Sequence, residues 1–355
     1  MDNRFLQQLP HLKKEITEKM HEYICKKKKE YSYSGKTQKT TLLCLDEFVT
    51  RGKCIRGSLA YYVASQLGYP NTLQLLSFAA GLEFVHSALL IHDDIIDNDL
   101  LRRGKPSVYA QYISEKKNPS LSAIDSAKAV ALCVGDIALF MAFELFDEAL
   151  SDHKQRSAIM YKLMRDYVHT GFGQIDDILL SNTNAEVSLQ QILQVYLYKT
   201  AKYTFSLPLT AGALLTGTSK EIVRSLEEIG NDMGIVFQMR DDEIALFQNS
   251  GEVGKPNDSD IRKNIKTFIR YYLYSESTPK EKKMLTSIFN KKQLTSVEIE
   301  LVRALAVSTG ALKKITTHQR MYMERAKQNI QKLSVHLSIK SSLDELLTYC
   351  VNRTS

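Results

Sequence analysis

Residues 73–97 read LQLLSFAAGLEFVHSALLIHDDIID, and this stretch decides the fold. It contains no proline and only one glycine, Gly81, and it is apolar on most sides. A helix that is hydrophobic nearly all round belongs at the centre of a helical protein, not at its surface. The end of the stretch breaks the rule with Asp93, Asp94 and Asp97. Asp93 and Asp97 are four residues apart, so on a helix their carboxylates project from one face, one above the other. Leu89, Leu90, Ile91, Ile95 and Ile96 surround them, and a core penalises uncompensated carboxylates severely. The cluster therefore asks for a cation. Oxygen-only ligands followed by Arg102-Arg103-Gly104-Lys105 point to Mg²⁺ bound together with a phosphate-rich substrate. A second acidic pair, Asp241-Asp242, lies far downstream.

The rest of the chain follows the same style. Seven prolines in 355 residues and no convincing alternation of apolar and polar residues predict an all-α fold. Helical patterns cover Leu59–Leu67, Val130–Leu150 and Ile159–Leu180, with turn chemistry at Gly104-Lys105-Pro106, Ser181–Asn184 and Gln248–Asn257. No composition shift marks a linker, so residues 1–355 read as one large domain. The composition, 44% hydrophobic and 25% charged, is that of a soluble globular protein. Ala127–Phe146, the longest apolar stretch, carries Lys128, Asp136 and Glu144 and reads as a buried core helix, not a membrane span. Five scattered cysteines without a C-x-x-C pair read as reduced thiols of a cytoplasmic protein, and the N-terminus shows no targeting pattern. A net charge of +7 suits an anionic ligand. Lys26–Lys29 reads as a solvated helix face, since no nucleic-acid motif accompanies it.

Further segments carry chemistry. Gly52-Lys53-Cys54-Ile55-Arg56-Gly57 puts two cations at a helix entry, where they can hold a phosphate, although such cations are common at helix starts. His86 precedes Asp93 by seven residues, two helical turns, and so shares its face; a satisfied core histidine is the competing reading. Lys199-Thr200 lies on an apolar segment, Gln238 precedes the second acidic pair, and Lys255 sits on a glycine–proline loop.

In this order the segments resemble the trans-isoprenyl diphosphate synthases, the polyprenyl synthetase family, from about Leu42 to Lys266. The resemblance implies a helical bundle of the isoprenoid synthase type with a central active-site cavity. Asp93-Asp94-Ile95-Ile96-Asp97 matches the first D-D-x-x-D motif, and Gly173-Gln174-Ile175-Asp176-Asp177 is similar to the G-Q-x-x-D element found midway along family members. By carry-over, Asp93, Asp94, Asp97, Asp241 and Asp242 ligate Mg²⁺, three ions with substrate bound, with Mn²⁺ an alternative. Lys53, Arg56, His86 and Arg103 hold isopentenyl diphosphate. Arg102, Lys199, Thr200, Gln238 and Lys255 hold the allylic diphosphate (dimethylallyl, geranyl or farnesyl), and Lys199, Thr200 and Gln238 also serve catalysis. A homodimer is implied as well.

The resemblance implies a 1′-4 trans condensation, and Leu89 and Ala88 stand where an aromatic residue would block the product tunnel early. Phe84, Phe140 or Met141 would then form a deeper floor, and geranylgeranyl diphosphate (C20) is the expected product. A C15 or a C25-and-longer product, a class I terpene cyclase and a non-catalytic subunit of a prenyltransferase are the alternatives. The retained isopentenyl set argues against the cyclase. Three departures from the pattern stand out. Ala245 replaces the last aspartate of the second motif, Ile265 stands where a lysine is common with Lys266 as a substitute, and Arg51 and Gly57 replace a glycine and a proline.

Overall fold

The computed structural model describes residues 4–31, 35–114, 119–183, 185–247, 259–289, 291 and 293–353. The chain is 82% helical, which bears out the all-α class. It forms two compact units, Met1–Arg156 with Gly212–Gly217 and Ser157–Ala211 with Thr218–Ser355.

The first unit contains α1 (Phe5–Glu30), α2 (Lys36–Val49), α3 (Ile55–Gln66) and α4 (Thr72–Asp97). A two-residue hairpin, β1 (Leu101–Arg102) and β2 (Lys105–Pro106), leads into α5 (Val108–Tyr112) and α6 (Leu121–Leu150). The Asn71 side chain opens α4 by accepting from the Gln74 N–H at 3.1 Å. Asn98 closes it in the left-handed region at φ 58°, a conformation that asparagine tolerates well. Between these caps Leu75, Phe78, Leu82, Phe84, Val85, Ala88 and Ile91 are buried. By length and composition α4 and α6 could each cross a membrane, but 72% of the apolar window of α4 is buried inside the protein.

The expectation for α6 needs correction. It buries Val134, Ala138, Met141 and Leu145, yet Leu132 and Phe140 on its other face are 50% and 69% exposed. The helix is a core helix on one side only, and Phe140 cannot floor a cavity within this chain.

The second unit contains α7 (Arg156–Ser181), α8 (Leu189–Val195), a π-helix (Tyr196–Ser206), the start of α9 (Leu207–Leu215) and α10 (Lys220–Phe247). After it come α11 (Ser259–Arg262), α12 (Phe268–Glu276), α13 (Pro279–Phe289), α14 (Ser296–Ser308), α15 (Ala311–Lys332) and α16 (Leu337–Asn352). α10 lies directly against the π-helix. A Cβ on Gly234 would stand 2.3 Å from the Ala201 Cα, so only glycine allows this approach.

Gly234→Ala is expected to destabilise the protein by about 1–3 kcal/mol through overpacking against backbone. Urea unfolding measures this, and an unchanged midpoint would mean that the two helices do not approach so closely.

Candidate active site

In the first unit the acidic cluster and its arginines are sorted by a turn. Arg103 and Gly104 both have positive φ, 54° and 72°, between strands paired Arg102↔Lys105. This is the two-residue hairpin turn that matches strand twist, and a non-glycine residue held there stores strain. It separates the two arginines. Arg102 turns to the acidic cluster, donating from Nε to Asp94 Oδ1 at 2.7 Å and from Nη2 to Asp93 Oδ2 at 3.3 Å. Arg103 instead extends toward Gly52, where a Cβ would lie 3.6 Å from its Nη1.

Asp94, expected to ligate metal, differs from Asp93 and Asp97 in its surroundings. It is 1% exposed, and its carboxylate is engaged by Arg102. Asp93 and Asp97 are only half-buried and form the edge on which an ion would land. Among the described residues no three His, Cys, Asp or Glu side chains converge on one point. An oxygen-only pair of carboxylates nevertheless fits Mg²⁺, which completes its octahedron with water and phosphate oxygens.

Glu83 is a buried residue that the sequence left without a role. It is 2% exposed, and its Oε1 accepts from the Gly57 N–H at 2.7 Å. α3 has no side-chain cap of its own, because Cys54 precedes it at φ 52°, and Glu83 reaches across from α4 to supply one. Burial raises the Glu83 pKa, while the charge of Arg56, the Gly57 N–H and the charge of Arg103 pull it down. A Cβ on Gly57 would lie 2.7 Å from the Ala79 carbonyl oxygen. The proline common at this position would clash there and would also lack the donated N–H. Burial, then the charges of Arg56, Arg103 and Arg102, hold the His86 pKa well below its ordinary value. The imidazole is neutral at pH 7 and offers a single N–H. Lys53 is exposed beside these groups in sequence.

In the second unit the π-helix positions Lys199 and Thr200. Lys199 pairs with Asp177 of the G-Q-x-x-D element, and Gly173 of that element would place a Cβ 2.5 Å from the Lys199 backbone nitrogen. Thr200 Oγ1 donates to Gln238 Oε1 at 2.7 Å, and Gln238 Nε2 donates to Asp242 Oδ1 at 2.9 Å. The Tyr196 hydroxyl also donates to the buried Asp242 and accepts from the Phe268 N–H at 3.0 Å. Asp241 forms an ion pair with Arg353 at 2.6 Å, and the Arg353 guanidinium lies 4.0 Å from the centre of the Phe237 ring.

Glu243 does not replace the missing third carboxylate, since Arg240 at 2.8 Å and Gln319 at 3.2 Å hold it. A cavity of about 30 Å³ beside Asp242 is walled instead by Ala245 and Ile265. Lys266 does not substitute for the lysine absent at Ile265; it lines a different cavity. Lys255 lies outside the described residues.

The sequence profile described as Polyprenyl synthetase matches residues 38–305. A geranylgeranyl diphosphate synthase of Saccharolobus solfataricus is 28% identical over 311 residues, 86% of this chain and 88% of that one. A geranylfarnesyl diphosphate synthase of Aeropyrum pernix is 26% identical over 85% of this chain and 90% of its own length. Among solved structures, the geranylgeranyl pyrophosphate synthase from Corynebacterium glutamicum complexed with isoprenyl diphosphate and magnesium shares the fold. Its TM-score is 0.88 over 96% of this chain and 98% of that chain, at 24% identity.

Glu83→Ala strips the buried Gly57 N–H of its acceptor and is expected to cost about 1–3 kcal/mol. Glu83→Gln keeps an acceptor and should retain most of the stability. Equal losses in denaturant unfolding would show that the carboxylate acts through its charge and not as a cap.

Proposed function

The chain belongs to the polyprenyl synthetase family, and on that premise we propose that it makes geranylgeranyl diphosphate by adding isopentenyl diphosphate to an allylic diphosphate. A trans-prenyltransferase needs two diphosphate sites. The observation that carries this reading is the divergence of Arg102 and Arg103 from one strained turn, toward two separate charge clusters. A terpene cyclase, which ionises an allylic diphosphate alone, has no use for the second cluster.

Lys53, Arg56, Arg103 and the neutral N–H of His86 bind isopentenyl diphosphate. Glu83 keeps the α3 entrance that presents Arg56 in place. Asp93, Asp97, Asp241 and Asp242 would hold Mg²⁺, which when bound supplies charge stabilisation to the departing diphosphate. Arg102, Lys199 and Lys255 add positive charge at the same leaving group. Their present partners, Asp93 and Asp94 for Arg102 and Asp177 for Lys199, keep the first two oriented beforehand.

As the allylic carbon–oxygen bond breaks, the isopentenyl double bond attacks that carbon. A proton then leaves the isopentenyl C2 for the departing diphosphate, the one strong base released in the step. The Thr200–Gln238–Asp242 relay fixes the amide of Gln238, so that its dipole can orient the allylic partner. Residues of both compact units are assigned roles in the reaction, and we read residues 1–355 as one isoprenyl diphosphate synthase domain.

Two observations support a C20 product. Ala88 is small and 1% exposed, leaving space one and a half turns before Asp93. Phe84 is fully buried nine residues before Asp93, about 13 Å of helix rise. It meets Tyr23 edge-to-face at 5.7 Å, with the Lys27–Glu144 ion pair at 2.6 Å alongside. An aromatic pair backed by charges makes a floor that a longer hydrocarbon tail would have to displace.

The exposed apolar stripes on α6 (Leu132, Ile137, Phe140) and α7 (Met164, Val168, Phe172) support a homodimer.

Purified protein with Mg²⁺, isopentenyl diphosphate and radiolabelled farnesyl diphosphate should yield labelled C20, and Ala88→Phe should shorten the product. Absence of any elongation would sink the synthase reading, and a C25 product would overturn the assigned floor. Sedimentation should give twice the mass of one protomer; a monomer would remove the dimer.

A further inference from the structure

Lys266 is the most anomalous charge in the second unit. It is 4% exposed, and its Nζ makes no hydrogen bond to any described residue. A buried ammonium without a partner carries a desolvation cost that something must offset. The same cavity wall holds a second buried donor, on Arg270. The Nε of Arg270 is buried without an acceptor, and its guanidinium is held between the rings of Tyr274 (4.5 Å) and Phe289 (5.0 Å). Two aromatic faces fix the position of that cation without neutralising it.

The cavity that Lys266 and Arg270 line measures about 360 Å³, within the range of small-ligand sites. Lys282 on α13 also lines it, and Glu186 is the one carboxylate on its wall. Three cations against one anion leave the lining net positive. Tyr271 and Ser275 add hydroxyl groups, and Val187 and Ile192 close the apolar side.

We propose that this cavity binds a phosphate-bearing anion, on walls that do not include the second aspartate cluster. Phosphate chemistry suits the set, because a planar guanidinium and a point-charge ammonium together engage several oxygens of one phosphate group. Thr267 and Arg270 border both this cavity and the small one beside the second cluster, but Asp242 and Ala245 line only the small one. Burial first, then the charge of Arg270, lowers the Lys266 pKa to about 8. The amine is thus still mostly charged at pH 7, at a cost to the fold that a bound anion would repay.

The test uses the full-length protein carrying Arg56→Ala and Arg103→Ala, in EDTA, so that the isopentenyl pocket and metal-dependent binding are silenced. Calorimetric titration with inorganic diphosphate and, separately, inorganic phosphate should show one site per protomer. The stronger of the two identifies whether the occupant is a single or a linked phosphate. Adding Lys266→Met should weaken binding by about ten- to a hundredfold, the loss of a charge-assisted hydrogen bond.

A second measurement needs no ligand. Because the folded-state pKa of Lys266 lies below its unfolded value, its cost is fully present below about pH 8 and is relieved as pH rises toward 10.5. Lys266→Met alone should therefore raise the unfolding midpoint at pH 7, with the difference from wild type shrinking as pH climbs through that window. No anion binding in the Arg56→Ala/Arg103→Ala protein, or equal binding after Lys266→Met, would overturn the proposal. A Lys266→Met protein less stable than wild type at pH 7 would do the same, by revealing an internal partner for the amine.

Discussion

Gathering guanidinium groups at one end of α4 before any anion arrives is opposed by their mutual repulsion, and the first unit is arranged around that cost. Two buried carboxylates meet it, each at 1–2% exposure. Asp94 takes Arg102, and Glu83 sits in the field of Arg56 and Arg103. Neither carboxylate faces an incoming ligand. The hairpin turn that separates Arg102 from Arg103 and the glycine that lets α3 touch α4 follow from these two placements.

The second unit solves the matching problem differently. Asp242 is buried, and Gln238 and Tyr196 donate to it, so neutral dipoles orient its carboxylate. Asp241 meets a cation from far along the sequence, Arg353. With Ala245 and Ile265 beside Asp242, this cluster holds one fewer negative and one fewer positive side chain than the family pattern. Charge balance is kept while absolute charge falls.

What the sequence disclosed and what it withheld divide along physical lines. Stretches that are apolar on all sides have only one stable destination, so α4 was legible almost to the residue, Leu73–Asp97 against Thr72–Asp97. Asp93 with Asp97, and the acid–arginine spacing, were legible because they depend on helical repeat alone. Glu83 was overlooked although it carried a signal: a glutamate inside Leu82–Val85 must have a partner. The burial of Asp94 against Arg102 was not legible, because adjacent aspartates look alike in a sequence. Phe140 was misplaced because α6 is apolar on both faces, and composition does not say which face meets protein. Tyr196 left no signal, since its contact with Asp242 depends on a helical phase that no propensity encodes.

That phase has a consequence of its own. Tyr196–Ser206 is wound as a π-helix, so it holds more residues per turn than the α-helices on either side. Lys199 and Thr200 meet their partners in that winding. Removing one residue from the segment would alter that winding and with it the phase of the side chains the segment carries. Such a deletion could leave every named side chain in the sequence while turning Thr200 away from Gln238. Relatives that differ in length here therefore cannot be compared position by position. In this segment the count of residues is itself part of the site.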